Sequence, residues 1–187
     1  MTLPTHYLIT PAVAEEEEFF AALERTLQAG TRLLQLKGKG LNGAAYAELA
    51  ERVLALARRY GARVLLSGDP ELVITLGADG LHLDSKALQQ ADSRPLPARY
   101  LLAVSGHDLP TLQKGEQIGA SFAVLSPVNF TRAHPDLEPL GWEGFAAISA
   151  QFSLPLYALG GVSAEDEAAA IAAGAQGVAG SRGYWKG

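Results

Sequence analysis

Lys37 and Lys39 stand two residues apart, just behind the short apolar run Leu33-Leu34. Residues i and i+2 of an extended segment share a face, so both ammonium groups can enter one pocket and hold an anion. Two glycine turns, Leu159-Gly160-Gly161-Val162-Ser163 and Ala179-Gly180-Ser181, lie where apolar runs end. Amides freed by glycine at such places point outward and attract phosphate, although Gly-Gly also suits any tight turn. His107, in Val104-Ser105-Gly106-His107, carries an imidazole able to move a proton near neutral pH. Gln35, Ser105, Thr131 and His134 add hydrogen-bonding groups behind other apolar runs. The chain has no cysteine, which excludes disulfides, thiolate zinc sites, iron–sulfur clusters and cysteine nucleophiles.

These residues need elements to place them, and the chain repeats one grammar. A segment rich in Ala, Leu and Glu ends at Gly, and a short apolar run follows. It occurs at Gly30, Gly61, Gly77, Gly119 and Gly174. Gly suits the left-handed position that ends a helix. Apolar runs without strict alternation suit strands covered on both faces. Strands are expected near 6–10, 32–36, 63–67, 79–83, 100–104, 121–125, 155–159 and 176–179. Helices are expected near 15–28, 42–59, 70–75, 86–91, 108–117, 141–150 and 164–172, with Asn42 and Ser163 as N-caps. Eight βα steps in 187 residues predict an α/β fold, a (β/α)8 barrel forming one unit over 1–187. An open doubly wound sheet would carry glycine in its first turn, and Thr10-Pro11-Ala12-Val13 has none. In such a barrel chemistry collects at the C-terminal strand ends, and turns seven and eight are its usual phosphate site.

The charge is 15 basic minus 20 acidic residues, or −5, with no basic stripe to neutralise a nucleic acid or an anionic membrane. No stretch approaches the ~20 apolar residues of a membrane span, and the first residues lack a signal-peptide pattern. A cytoplasmic protein is expected. Behind strand eight only residues 181–187 remain, too few for a helix of ~11 residues. The last helix is therefore expected to be truncated or missing. Tyr184 and Trp185 should fold back over the gap, and a homodimer or another partner should cover what remains.

Five motifs occur in order: Gln35-Leu36-Lys37-Gly38-Lys39-Gly40-Leu41, Gly77-Ala78-Asp79-Gly80-Leu81-His82-Leu83, Val104-Ser105-Gly106-His107, Ser126-Pro127-Val128 with Thr131 and His134-Pro135-Asp136, and Ala158-Leu159-Gly160-Gly161-Val162. Over nearly its whole length the chain resembles the thiamine phosphate synthase and TenI family. Its end, Gly177 to Trp185, is similar to a domain fused behind Nudix hydrolases in some bacteria, which makes such a hydrolase an expected partner. The resemblance implies a phosphorylated thiazole ligand, with Gly160, Gly161, Gly180 and Ser181 on its phosphate. Gln35, Lys37, Lys39, Ser105, Thr131 and His134 complete the implied binding set. A Gly161→Val change is expected to block the ligand and leave the fold intact.

The family has two chemistries. The synthase joins a pyrimidine diphosphate to the thiazole phosphate and expels pyrophosphate with Mg2+. Its Asn-Asp-Arg pattern falls here on Ser67-Gly68-Asp69, and its second metal carboxylate falls on Ala87. Glycine and alanine offer no ligand atoms, so no metal ligand is assigned and Mg2+ belongs only to the synthase reading. Asp69 and Asp84 are the neighbouring carboxylates available as replacements. The TenI-like branch is a thiazole tautomerase, whose proton-shuttling histidine falls on His107. The residues thus favour an isomerase first and the synthase, a transferase, second. A non-catalytic ligand-binding module partnered with a Nudix hydrolase is the third reading.

Overall fold

The computed structural model describes residues 2–132 and 135–187. Eight parallel strands close into a barrel in chain order. They are β1 (His6–Ile9), β2 (Leu33–Gln35), β3 (Arg63–Ser67), β4 (Gly80–Leu83), β5 (Leu101–Gly106), β6 (Phe122–Leu125), β7 (Leu156–Ala158) and β8 (Gly177–Ala179). Around them lie α1 (Glu16–Gln28), α2 (Gly43–Arg59), α3 (Pro70–Leu76), α4 (Ser85–Gln90), α5 (Leu109–Gln117) and α6 (Gly141–Ser149). A 3-10 turn, Ala164–Asp166, leads into α7 (Glu167–Ala172). The chain thus forms the expected (β/α)8 barrel. Among the described residues no helix is long and apolar enough to cross a membrane.

The strands lack a polar face because both faces are covered. Tyr7, Leu33, Leu65, Leu101, Ala103, Phe122, Val124 and Tyr157 fill the barrel interior. Leu8, Leu34, Val64, Leu66, Leu81, Leu102 and Val104 point outward into the helix layer. The rings of Tyr7, Phe122 and Tyr157 meet at 5.1 to 5.7 Å and plug the lower barrel. The side-chain period of two then decides what stands above the plug. Gln35 follows Leu33, Ser67 follows Leu65, His82 follows Gly80 and Ser105 follows Ala103. The register staggers them, with Gln35 level with Leu65, Ser67 with His82 and His82 with Ala103, and side-chain hydrogen bonds bridge the steps from Gln35 to Ser67 and from His82 to Ser105.

The turns behave as the grammar requires. Gly77 ends α3 in the left-handed conformation, at φ 63° and ψ 38°. Asn42 Oδ1 accepts the Ala45 amide at the start of α2, and Ser163 with Asp166 forms a reciprocal capping box.

No helix follows β8 among the described residues, and the tail takes its place. Tyr184 stacks on the buried His6 ring, with centroids 3.2 Å apart, and Trp185 packs 5.3 Å from Phe19 of α1. The Lys186 amide donates to Thr26 Oγ1 at 2.9 Å, and Arg25 Nε donates to the Lys186 carbonyl at 2.7 Å. Tyr184 and Trp185 therefore do fold back against β1 and α1.

Candidate functional site

Two cavities open at the C-terminal ends of the strands. The larger, about 560 Å³, lies over β2, β3 and β4 and is lined by Gln35, Lys37, Lys39, Ser67, His82 and Asp84, among others. The smaller, about 320 Å³, is lined by Thr10, Lys37, Thr131 and the glycine turns Gly160-Gly161 and Gly180-Ser181. Lys37 borders both. Both lysines are exposed, so their charges are hydrated.

The lysine loop hangs from buried neighbours. The Lys37 amide donates to Thr10 Oγ1 at 3.0 Å. Tyr46, reaching over from α2, donates its hydroxyl to the Leu36 carbonyl at 2.8 Å and accepts the Ser67 amide at 2.9 Å. Burial raises the Tyr46 pKa, which keeps the phenol a donor. Gln35 Nε2 donates to Ser67 Oγ at 3.0 Å, so the floor of the larger cavity is a connected polar layer.

The glycine turn after β7 is pressed against the chain behind β6. The Leu159 and Gly160 carbonyls accept the Val128 and Asn129 amides, each at 2.9 Å. A Cβ on Gly160 would lie 2.7 Å from Pro127 Cα, and one on Gly161 would lie 2.5 Å from the Phe130 carbonyl oxygen. Packing thus requires these glycines before any ligand does. Gly161→Val would displace the 127–130 backbone, so the expectation that it leaves the fold intact is corrected. The amides of Gly161, Val162 and Ser181 line or adjoin the smaller cavity and have no partner among the described residues. Unpaired amides gathered at one concavity make a cup able to receive an anion.

Thr131 lies on the rim of that cavity, half-buried. His134 lies outside the described residues. His107 is half-buried, and its Nδ1 stands 2.7 Å from the Ser126 carbonyl oxygen. A carbonyl only accepts, so Nδ1 carries the hydrogen and Nε2 is the basic nitrogen of the neutral ring. Ser105 meets His82, with Oγ 2.6 Å from Nε2, and His82 Nδ1 lies 2.8 Å from the Tyr7 hydroxyl. Motif reading missed Tyr7, Tyr46 and the use of His82. The alternation along β1 and β4 could have placed Tyr7 and His82 inside; nothing local marks Tyr46, which acts from α2 across to β2.

A family model described as thiamine monophosphate synthase matches residues 6–183. An Aquifex aeolicus protein, provisionally named thiamine-phosphate synthase 2, is 32% identical over 96% of this chain and 97% of its own length. The chain belongs to the thiamine monophosphate synthase family. A thiamine-phosphate synthase of Lysinibacillus sphaericus is 30% identical over 95% of the chain and 85% of that protein. Among solved structures, a thiamine phosphate pyrophosphorylase from Pyrococcus furiosus superposes with a TM-score of 0.75 at 21% identity, covering 94% of this chain and 84% of that one. That likeness speaks for the fold alone.

The synthase resemblance implies Mg2+ between β3 and β4. Gly68 and Ala87 do line the larger cavity, where carboxylates are expected, and they bring no donor atoms. Asp69 and Asp84 line it too, but each is an N-cap: Asp69 Oδ1 accepts the Glu71 amide at 2.9 Å and Asp84 Oδ1 the Ala87 amide at 2.8 Å. No group of three His, Asp or Glu side chains suited to a metal occurs among the described residues. This donor set does not fit the Mg2+ shell of the synthase pattern.

Proposed function

We propose that this protein of the thiamine monophosphate synthase family binds a phosphorylated thiazole in the glycine cup and joins it to a pyrimidine diphosphate held in the larger cavity. The observation that carries this reading is the pair of cavities meeting at Lys37. One small ligand would fill the smaller cavity, and a second cavity of ligand size argues for a second reactant. The names of the relatives support condensation as well, so this reading stands above the isomerase that the motifs favour first.

In the condensation the bond that breaks leaves its electron pair and negative charge on pyrophosphate. Fixed ammonium groups that meet that charge lower the barrier. Lys37 and Lys39 line the cavity where it develops. The amides of Gly161, Val162 and Ser181 hold the thiazole phosphate, and Thr10 and Tyr46 keep the lysine loop in register.

The isomerase remains as a second reading because of one observation. His107 Nδ1–H donates to the Ser126 carbonyl, which in the neutral ring leaves Nε2 as the nitrogen with the chemistry of a proton carrier. Purified protein should be given the pyrimidine diphosphate with the thiazole phosphate, and separately the thiazole carboxylate phosphate alone, each with and without Mg2+. Thiamine phosphate with pyrophosphate release in the first mixture supports condensation. Isomerisation in the second mixture alone transfers the assignment to His107, and saturable binding without turnover supports the ligand-binding module.

A further inference from the structure

A hydrogen-bonded chain runs from the barrel core to the mouth through Tyr7, His82 and Ser105. Tyr7 is fully buried, and its hydroxyl meets only His82 Nδ1, at 2.8 Å, among the described residues. The rings of Phe122 and Tyr157 surround it and offer no ordinary acceptor near the hydroxyl. His82 is 4% exposed. Its burial first, and the charge of Lys37 second, lower its pKa to about 3 against the opposing pull of Asp84. The ring is neutral and carries one hydrogen.

Two arrangements satisfy the distances. In one, Nδ1–H donates to Tyr7 and the Ser105 hydroxyl donates to Nε2. The Tyr7 hydrogen is then buried with no acceptor, which costs the full desolvation of a donor. In the other, Tyr7 O–H donates to Nδ1 and Nε2–H donates to Ser105 Oγ at 2.6 Å. Every buried hydrogen then has a partner, as folded interiors require. The Ser105 hydrogen is the one left over, on a half-buried residue bonded to His82, which lines the larger cavity.

We infer that Tyr7 and His82 are positioning residues that hold the Ser105 hydroxyl as a hydrogen-bond donor toward a phosphate or diphosphate oxygen in the barrel mouth. The inference rests on reading the mouth as the phosphorylated-ligand site. The same arrangement gives His82 no lone pair facing Ser105. His82 therefore cannot take the serine proton, and Ser105 is a binding donor and not a nucleophile.

The first test needs no ligand and no variant. Nitrogen-15 NMR of histidine-labelled protein at neutral pH should show His82 protonated on Nε2; protonation on Nδ1 overturns the inference. The second test uses inorganic pyrophosphate as the probe. His82→Leu should weaken its binding about 10-fold, His82→Gln should hold it within about threefold, and His82→Leu should add less than twofold in a Ser105→Ala background. Equal weakening in both backgrounds marks a merely structural histidine and overturns the inference, as does wild-type protein that fails to bind pyrophosphate. An Nε2–H tautomer with strong coupling in protein that makes no thiamine phosphate would sink the two-reactant reading alone.

Discussion

The Tyr46 ring packs directly over Gly38, so that a Cβ on Gly38 would collide with Tyr46 Cδ2. The same ring anchors Leu36 and Ser67 through its hydroxyl. The lysine loop is thus held from α2 as well as by Thr10 and by its own Leu41-to-Gly38 turn. Tyr46→Phe leaves the Ser67 amide without its partner, while the Leu36 carbonyl keeps the Ser67 hydroxyl at 3.2 Å. A loss of about 1–3 kcal/mol is expected in urea unfolding, which is the range for orphaned buried groups.

Lys37 borders both cavities and Lys39 only the larger one. If leaving-group charge is met by these two, Lys37→Ala should lower kcat/KM for condensation by about 10²–10³, the usual loss for one preorganised group. Lys39→Ala should cost less. Equal and small losses in steady-state assays would place the charge elsewhere.

His107→Asn separates the two chemistries. Under the condensation reading its kcat should change less than about threefold, since His107 lines neither cavity described. Any isomerisation should disappear, because general acid–base catalysis is worth about 10²–10⁴.

Adding inorganic phosphate should move the amide resonances of Gly161, Val162 and Ser181 more than any others. These three amides line the smaller cavity and have no partner among the described residues. Shifts confined to Lys37 and Lys39 would remove the cup from the site.

Acid should destabilise the fold through two buried histidines. Burial lowers His6 to about 4 and His82 to about 3, below the ordinary 6.5 of the unfolded chain. Between those values the unfolded state binds protons that the folded state refuses, so stability falls as pH drops below 6.5. The His6 share amounts to roughly 3 kcal/mol by pH 4, at about 1.4 kcal/mol per unit. Urea midpoints at pH 7.5 and 4.5 should show the decline, and His6→Gln should shrink it.

The sequence by itself determined the barrel. Gly-terminated helices followed by short apolar runs are local signals, and all eight strands fall within a residue or two of where those signals put them. The positions of the two glycine turns and the lysine pair behind strands were legible too, because each directly follows an apolar run in the sequence. The caps Asn42 and Ser163 were legible because a cap acts within three residues of itself. Asp69 and Asp84 stood as candidate metal ligands for want of the opposite information: only the folded helix starts show their Oδ1 atoms already taken by amides. The need for glycine at 161 comes from the Phe130 carbonyl 31 residues earlier, and the orientation of Ser105 comes from Tyr7 through His82. Barrel closure creates both relationships, since each depends on which side chains the pleat and the register bring face to face. Local chemistry chooses the elements; only the closed sheet decides which polar groups meet.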